Sequence, residues 1–389
     1  MIKNSFYRER IHHVVRHILF ALIVLTFFAF PAIRPVHADP LLDEIVEFSG
    51  EIFGAEHNVP ALIIAVLHKG ETSIRGFGEL SGKGSKSPDG NTIVRIGSIT
   101  KAFDGEVLAH LAARNIVQLT DPVTKAWPEL AVNAKANVGQ VRFIDLVTHS
   151  AGLPRELPPD AQSKGPLTIE SYAGWFKKHK LLFEPGRSVH YSNVGFDMLA
   201  IGLSRAANKS FAAVLQQYVT GPLNMKDTVF VLSAEQKQRL MQGHDFGGAP
   251  IPDTPPAPVN YGAGALYSTP NDLVKWMRWH LDRFDRKDAE ARLLSHALFL
   301  PHDGLAIVSG FDESGPMDAM GLGWVAMMPD GSRPFILQKT GALQGTISYI
   351  AFSPARDVAV FIAINKFDFG AAAAMIKLAN NLITTFAQR

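Results

Sequence analysis

Three short patterns could do chemistry together, and each occurs once in the 389 residues: Ser98-Ile99-Thr100-Lys101, Tyr191-Ser192-Asn193 and Lys339-Thr340-Gly341. Residues three apart on a helix share a face, so Lys101 can reach the Ser98 hydroxyl. A helix N-terminus at Ser98 would favour the negative charge of an attacking oxygen. A lysine becomes a base when its ammonium form is destabilised, which burial and a second cation both do, and Lys339 could supply that cation. Tyr191 follows the turn-forming Pro185-Gly186 and would deliver a phenol able to pass protons, while the Asn193 amide can bond a substrate amide with both ends. Lys339 and Thr340 could hold an anionic substrate group, and Gly341 lets another backbone approach closely. An oxyanion needs two donors aimed at one point; the backbone amides of Ser98 and Ala342 form that pair if the strand passes the helix start.

Each pattern alone has a plainer meaning. Serine is a preferred helix cap, Lys101 could be solvated, Tyr-x-Asn is often a turn, and Lys339 could sit on an edge strand. The conjunction of all three, in this order and in these structural contexts, favours acyl transfer through a Ser98 ester. No Gly-x-Ser-x-Gly, His-Glu-x-x-His or Walker loop competes with it. The 14 histidines form no ligand pattern, and His149, beside Ser150-Ala151-Gly152, reads as structural. No metal or other cofactor is expected.

These residues need a frame to bring them together. Pro40 opens a helix capped by Asp39, with Leu41, Leu42, Ile45, Phe48 and Ile52 at helical spacing. Residues 61–68 and 72–78 read as strands around Lys69-Gly70, and 335–339, 346–352 and 358–364 as three more, followed by a helix over 371–386. Strands at both ends with a long middle predict an α/β sandwich whose antiparallel sheet is assembled from both chain ends and interrupted by an inserted helical lobe. The expected sheet lobe spans about 39–95 and 320–389, the helical lobe about 96–319. In the middle, a helix from Ser98 carries Ile99, Phe103, Val107, Leu108 and Leu111, and Thr269-Pro270-Asn271-Asp272 reads as a capping box. Proline-bearing stretches at 153–166 and 243–259 read as cleft walls or as surface loops.

The first 38 residues look like an export signal. Lys3, Arg8, Arg10 and Arg16 precede an apolar run at 18–30, and Val36-His37-Ala38 ends in a small residue. Those 13 apolar residues fall short of a bilayer span of about 20, although Pro31, Ala32 and Ile33 extend the run. Retention as an anchor, or peripheral membrane association, therefore stays open beside cleavage. Five basic residues and one acidic residue of the full chain's 38 and 36 lie in this segment, leaving 33 against 35, a net of −2. Such a balance offers no electrostatic reason for a nucleic-acid partner. With no cysteine the chain has no disulfide, no thiol nucleophile and no Cys-ligated zinc. Nothing in the sequence specifies an oligomer.

The three patterns resemble the active-site motifs of the penicillin-recognising serine enzymes, and Tyr191-x-Asn193 resembles the class C β-lactamase branch. Residues 148–156 (Thr-His-Ser-Ala-Gly-Leu-Pro-Arg-Glu), 321–325 (Gly-Leu-Gly-Trp-Val) and 338–341 (Gln-Lys-Thr-Gly) are most similar to AmpH-type D-alanyl-D-alanine carboxypeptidase/endopeptidases. The resemblance spans essentially the whole chain after the signal. It implies an α/β sandwich with a helical lobe, a Ser98 acyl-enzyme, no cofactor, peptidoglycan peptides and β-lactams as partners, and a periplasmic location. Class C lactamases usually carry glutamine where Glu156 falls and serine where Ala342 stands, which argues against efficient lactam hydrolysis. Three readings result: a DD-peptidase, a class C-like β-lactamase or related esterase, and a non-catalytic penicillin or muropeptide binder.

Overall fold

The strands read at the two ends of the sequence pair into one sheet. The computed structural model describes residues 40–132, 138–158, 168–176, 178–310 and 317–388, so the expected export signal and the Asp39 cap lie outside the described residues. The sheet strands are β1 (Ala61–His68), β2 (Glu71–Gly78), β3 (Leu300–Pro301), β4 (Ala319–Met320), β5 (Val325–Met327), β6 (Ile336–Leu343), β7 (Thr346–Ser353) and β8 (Val358–Ile364). Their order is β2-β1-β8-β7-β6-β5-β4-β3, and every neighbouring pair is antiparallel. The central position of β8 joins the N-terminal hairpin to the C-terminal strands. The β3–β4 pair shows that residues 300–301, within the stretch assigned to the helical lobe, also supply the sheet's far edge.

Successive side chains of a strand point to opposite faces, and here both faces are covered. Leu62, Ile64 and Val66 of β1 pack with α1 (Pro40–Glu56) and the C-terminal helix 369–387. Ile63, Ala65 and Leu67 face the other way, into a core with Phe103, Trp276 and Trp324. Each fully buried aliphatic contributes about 1.5–3 kcal/mol, so a strand apolar on both faces is held from both sides. The mixed α/β sandwich expected from the sequence is the fold observed.

Three local expectations need correction. On α1 the buried face is Leu42, Val46, Gly50 and Phe53, whereas Leu41, Phe48 and Ile52 are 42, 62 and 42% exposed. Leu42 is buried as expected and Ile45 packs partly against the same core; the rest of the buried face turns toward Gly50, where a side chain would strike the Phe77 ring of β2 and which carries no apolar signal. The helix placed at Ser98 begins at Thr100, after a 3₁₀ turn Gly97–Ile99. This helix, α2 (Thr100–Ala113), has no solvent stripe: every residue from Thr100 to Leu111 is buried. The Thr269 hydroxyl does cap α4 (Pro270–Leu281), accepting from Asp272 N at 3.2 Å. Asp272 does not reciprocate as a capping box would; its carboxylate takes Asp227 N at 2.8 Å and Lys275 Nζ at 2.7 Å.

Candidate active site

Glycines bring the Ser98 turn against β6. Gly97 has φ +51°, and a Cβ there would stand 2.6 Å from Ala342 N. Gly341 packs on the Ile96 carbonyl in return, which also accepts from the Ser348 hydroxyl at 3.1 Å. Neither glycine could carry a side chain without parting the helix start from the strand. The result sets the Ser98 backbone beside Ala342.

Ser98 Oγ caps nothing. It receives the Tyr191 hydroxyl at 2.7 Å and Lys101 Nζ at 3.1 Å, and lies 3.5 Å from the Ala263 carbonyl. Lys101 is 0% exposed, so the solvated-lysine reading fails. Its Nζ also donates to Asn193 Oδ1 at 2.7 Å and to the Ala263 carbonyl. Burial lowers its pKa from 10.5 to about 8, against the carboxylates of Asp197, Asp104 and Glu156, which hold it up. The Arg155 guanidinium adds to the lowering.

Tyr191 follows a two-residue strand, Val189–His190, that pairs with Val308–Ser309. Its ring lies among three cations, with Arg155 at 4.7 Å, Lys101 at 4.9 Å and Lys339 at 5.2 Å from the centroid. His149 stacks beneath it at 4.4 Å and accepts from Ser192 N through Nδ1 at 3.0 Å. Burial, then Lys101, Lys339 and Arg155, push the His149 pKa well below its ordinary value. A neutral ring that orients the Tyr191–Ser192 backbone is what a structural histidine would be.

Asn193 opens α3 (Asn193–Ala206), capped by the Ser192 hydroxyl on Gly195 N at 2.9 Å. Both ends of its amide are engaged, Oδ1 by Lys101 and Nδ2 by Glu156. In this arrangement Asn193 bridges the lysine to the exposed carboxylate of Glu156. Lys339 pairs with Ile350 of β7 and lies one residue past the β5 register, which runs from Ile336 to Gln338. Its ammonium donates to the Thr340 carbonyl at 3.2 Å. The buried Thr340 hydroxyl has no hydrogen-bond partner among the described residues.

A family model described as Beta-lactamase matches residues 39–383. The chain belongs to the β-lactamase family. Among curated relatives, the D-alanyl-D-alanine-carboxypeptidase/endopeptidase AmpH of Escherichia coli strain K12 is 32% identical over 341 residues, 86% of this chain and 87% of that protein. A β-lactamase of Pseudomonas fluorescens is 23% identical over 83% of this chain and 93% of its own. Among solved structures, a β-lactamase/D-alanine carboxypeptidase from Yersinia pestis complexed with citrate matches with TM-score 0.79 at 32% identity, covering 89% of this chain and 98% of that one. Its counterpart from Pseudomonas syringae, at 19% identity and TM-score 0.76, shares the fold.

Within this family frame the tertiary structure adds roles that the three motifs did not mark. Ala263 contributes only a backbone carbonyl, which side-chain patterns cannot signal. Arg155, adjacent to Glu156, reaches over Tyr191 and donates to the Gly310 carbonyl at 2.7 Å. Asp197 lies one helical turn beyond Asn193 and is buried beside the lysine. That spacing was the one available signal. Of the two proline-bearing stretches, 243–259 is pinned: Gln344 exchanges two 2.9 Å bonds with the Thr254 backbone, and Arg95 Nε meets Asp253 at 2.7 Å. The other carries Arg155 and Glu156 to the site, and its residues 159–166 lie outside the described residues.

Proposed function

We propose that this chain is a serine DD-peptidase that removes terminal D-alanine from peptidoglycan peptides through a Ser98 ester. The observation that carries the reading is the convergence on Ser98 Oγ of a buried lysine at 3.1 Å and a phenol at 2.7 Å, in a chain 32% identical to a named carboxypeptidase/endopeptidase. Neutral Lys101 takes the hydroxyl proton as Oγ attacks the penultimate D-alanine carbonyl. The backbone amides of Ser98 and Ala342 hold the oxyanion. Tyr191 passes a proton to the departing amine nitrogen, so the C–N bond breaks and free D-alanine leaves. Water then attacks the ester, gives up its proton to the same pair, and Ser98 is regenerated.

Lys339 and Thr340 are the carboxylate anchor of this scheme. The terminal carboxylate lies just beyond the scissile bond, and a cation beside an unpartnered hydroxyl suits it. Asn193, Gly341 and Glu156 border the acyl side, where the preceding amide would lie. Crosslinked peptides extend past the bond and need an open rim, so endopeptidase activity belongs to the same proposal. The setting is periplasmic, with residues 1–38 as the export signal; among the described residues no helix is long and apolar enough to cross a membrane.

A second reading, β-lactam hydrolysis, draws support from the family match and from the combined description of the Yersinia pestis protein. Both readings require penicillin to add its own mass to Ser98. Intact-protein mass spectrometry should find that adduct on the wild type and none on Ser98→Ala; an adduct on the variant would remove the nucleophile. Incubation with a pentapeptide ending in D-Ala-D-Ala and with a cephalosporin then separates the two. Release of D-alanine is expected, and an intact pentapeptide beside rapid cephalosporin turnover would make the chain a lactamase.

A further inference from the structure

Lys101 Nζ has three acceptors, and only two belong to the three motifs: Ser98 Oγ and Asn193 Oδ1. The third is the Ala263 carbonyl, carried by a single helical turn, Tyr261–Gly264. That carbonyl also lies 3.5 Å from Ser98 Oγ. A turn this short cannot hold its own orientation, since forming one turn fixes many dihedrals for few bonds. Something else must aim the carbonyl.

We propose that Asp197 is a positioning residue for Lys101, acting through the Ala263 peptide. Asp197 is 2% exposed and sits on α3 four residues after Asn193, on the same helical face. Its Oδ1 accepts Ala263 N at 2.9 Å, gripping the peptide unit next to the carbonyl in question. Its Oδ2 accepts Asn260 Nδ2 at 3.0 Å, just before the turn, and the Tyr172 hydroxyl at 2.7 Å. One face of α3 therefore controls two of the three acceptors of Lys101, Asn193 directly and Asp197 through the backbone. Gly262 and Gly264 let the turn lie this close, the first against the Phe196 carbonyl and the second 3.2 Å, Cβ to carbon, from Gly97.

The placement also gives Asp197 an electrostatic part. Lys101 is faced by Asp104 on its own helix, by Asp197 on α3, and by Glu156 and Arg155 on the segment before it; Tyr191 and Lys339 border the same space. Burial pushes the Asp197 carboxyl up to about 7, while the bonds from Tyr172 and Asn260, the charge of Lys101 and the Ala263 amide draw it back. In its ionised form it raises the Lys101 pKa. Removing that charge should free the lysine of its proton more readily, while removing the hydrogen bond should misplace it.

The two effects separate in an experiment on the full chain. The proposal rests on Lys101 being the base, so wild type, Asp197→Ala, Asp197→Asn and Lys101→Arg are compared in acylation by a fluorescent penicillin, from pH 6 to 9 and across penicillin concentrations. Asp197→Ala leaves the Ala263 amide without its acceptor and should lower the maximal acylation rate about 10- to 100-fold, with non-covalent affinity nearly unchanged. Asp197→Asn keeps an acceptor for Ala263, loses less rate, and moves the acidic limb of the profile to lower pH. Folded variants, judged by circular dichroism, that both acylate within about twofold of wild type with its pH profile would overturn the proposal, as would a loss confined to affinity. If Asp197→Ala does not fold, the limb shift of Asp197→Asn decides alone. Native acylation by Lys101→Arg removes the base reading itself; native acylation by the Asp197 variants beside an inactive Lys101→Arg removes only the role of Asp197.

Discussion

On the proposed mechanism, in which Lys101 is the base, the lowering of its pKa to about 8 by burial makes acylation a titration of that lysine. At pH 7 about one Lys101 in ten is neutral, whereas a lysine at its ordinary 10.5 would be neutral about three times in ten thousand. Part of that gain is returned, because a base of lower pKa is intrinsically weaker. The shape of the profile is free of that trade. Neutral lysine rises steeply between pH 6 and 9, so the rate should climb by more than about tenfold and level off, less steeply than a lone lysine because Asp197 ionises near 7 and raises the Lys101 pKa as it does. Stopped-flow acylation by excess penicillin reads this directly. Lys101→Arg keeps the charge but cannot lose its proton here, and should fall about two orders of magnitude or more below wild type at pH 9, with a flat profile. Two neighbours supply opposite controls. Glu156 holds the Lys101 pKa up and Arg155 lowers it, so Glu156→Gln should move the acidic limb to lower pH and Arg155→Gln to higher pH. A wild-type rate that changes less than about threefold between pH 6 and 9, or limbs that move together, would refute the assignment.

The anchor and the glycine hinge give separate tests. Lys339→Ala should reduce release of D-alanine from a peptide with a free terminal carboxylate more than it reduces turnover of an uncharged ester, because only the peptide loses its ion pair; equal losses measured as kcat/KM on the two substrates would take the carboxylate away from Lys339. Gly97→Ala places a methyl 2.6 Å from Ala342 N at φ +51°. Thermal melting should show a destabilisation of roughly 2–4 kcal/mol, and acylation should drop by about tenfold or more as the two oxyanion amides part. A variant that melts and acylates like wild type would mean that the strand and the helix start do not need this contact.

Local chemistry is what the sequence by itself determined. Ser98 and Lys101 are three residues apart, so a helical turn through them brings the ammonium within reach of the hydroxyl, at an observed 3.1 Å. The same holds for β1, β7 and β8, whose apolar runs are strands in any sheet that buries both faces. The family resemblance then joined Tyr191 and Lys339 to that pair, 90 and 238 residues beyond Lys101, a distance that spacing arguments do not cover. What only the tertiary structure decided depends on groups without a side-chain signature, or on which neighbour arrives. Gly50 chose the buried face of α1 because Phe77 of another strand lies on it. Asn193 meets Lys101 and Glu156 because residues 154 and 155 are hydrogen-bonded to the start of α3. The lysine is base-like because packing leaves it no water, which no composition records. Its third acceptor is the Ala263 carbonyl, a main-chain atom that every residue possesses, so its role exists only once Asp197 has turned it toward Lys101.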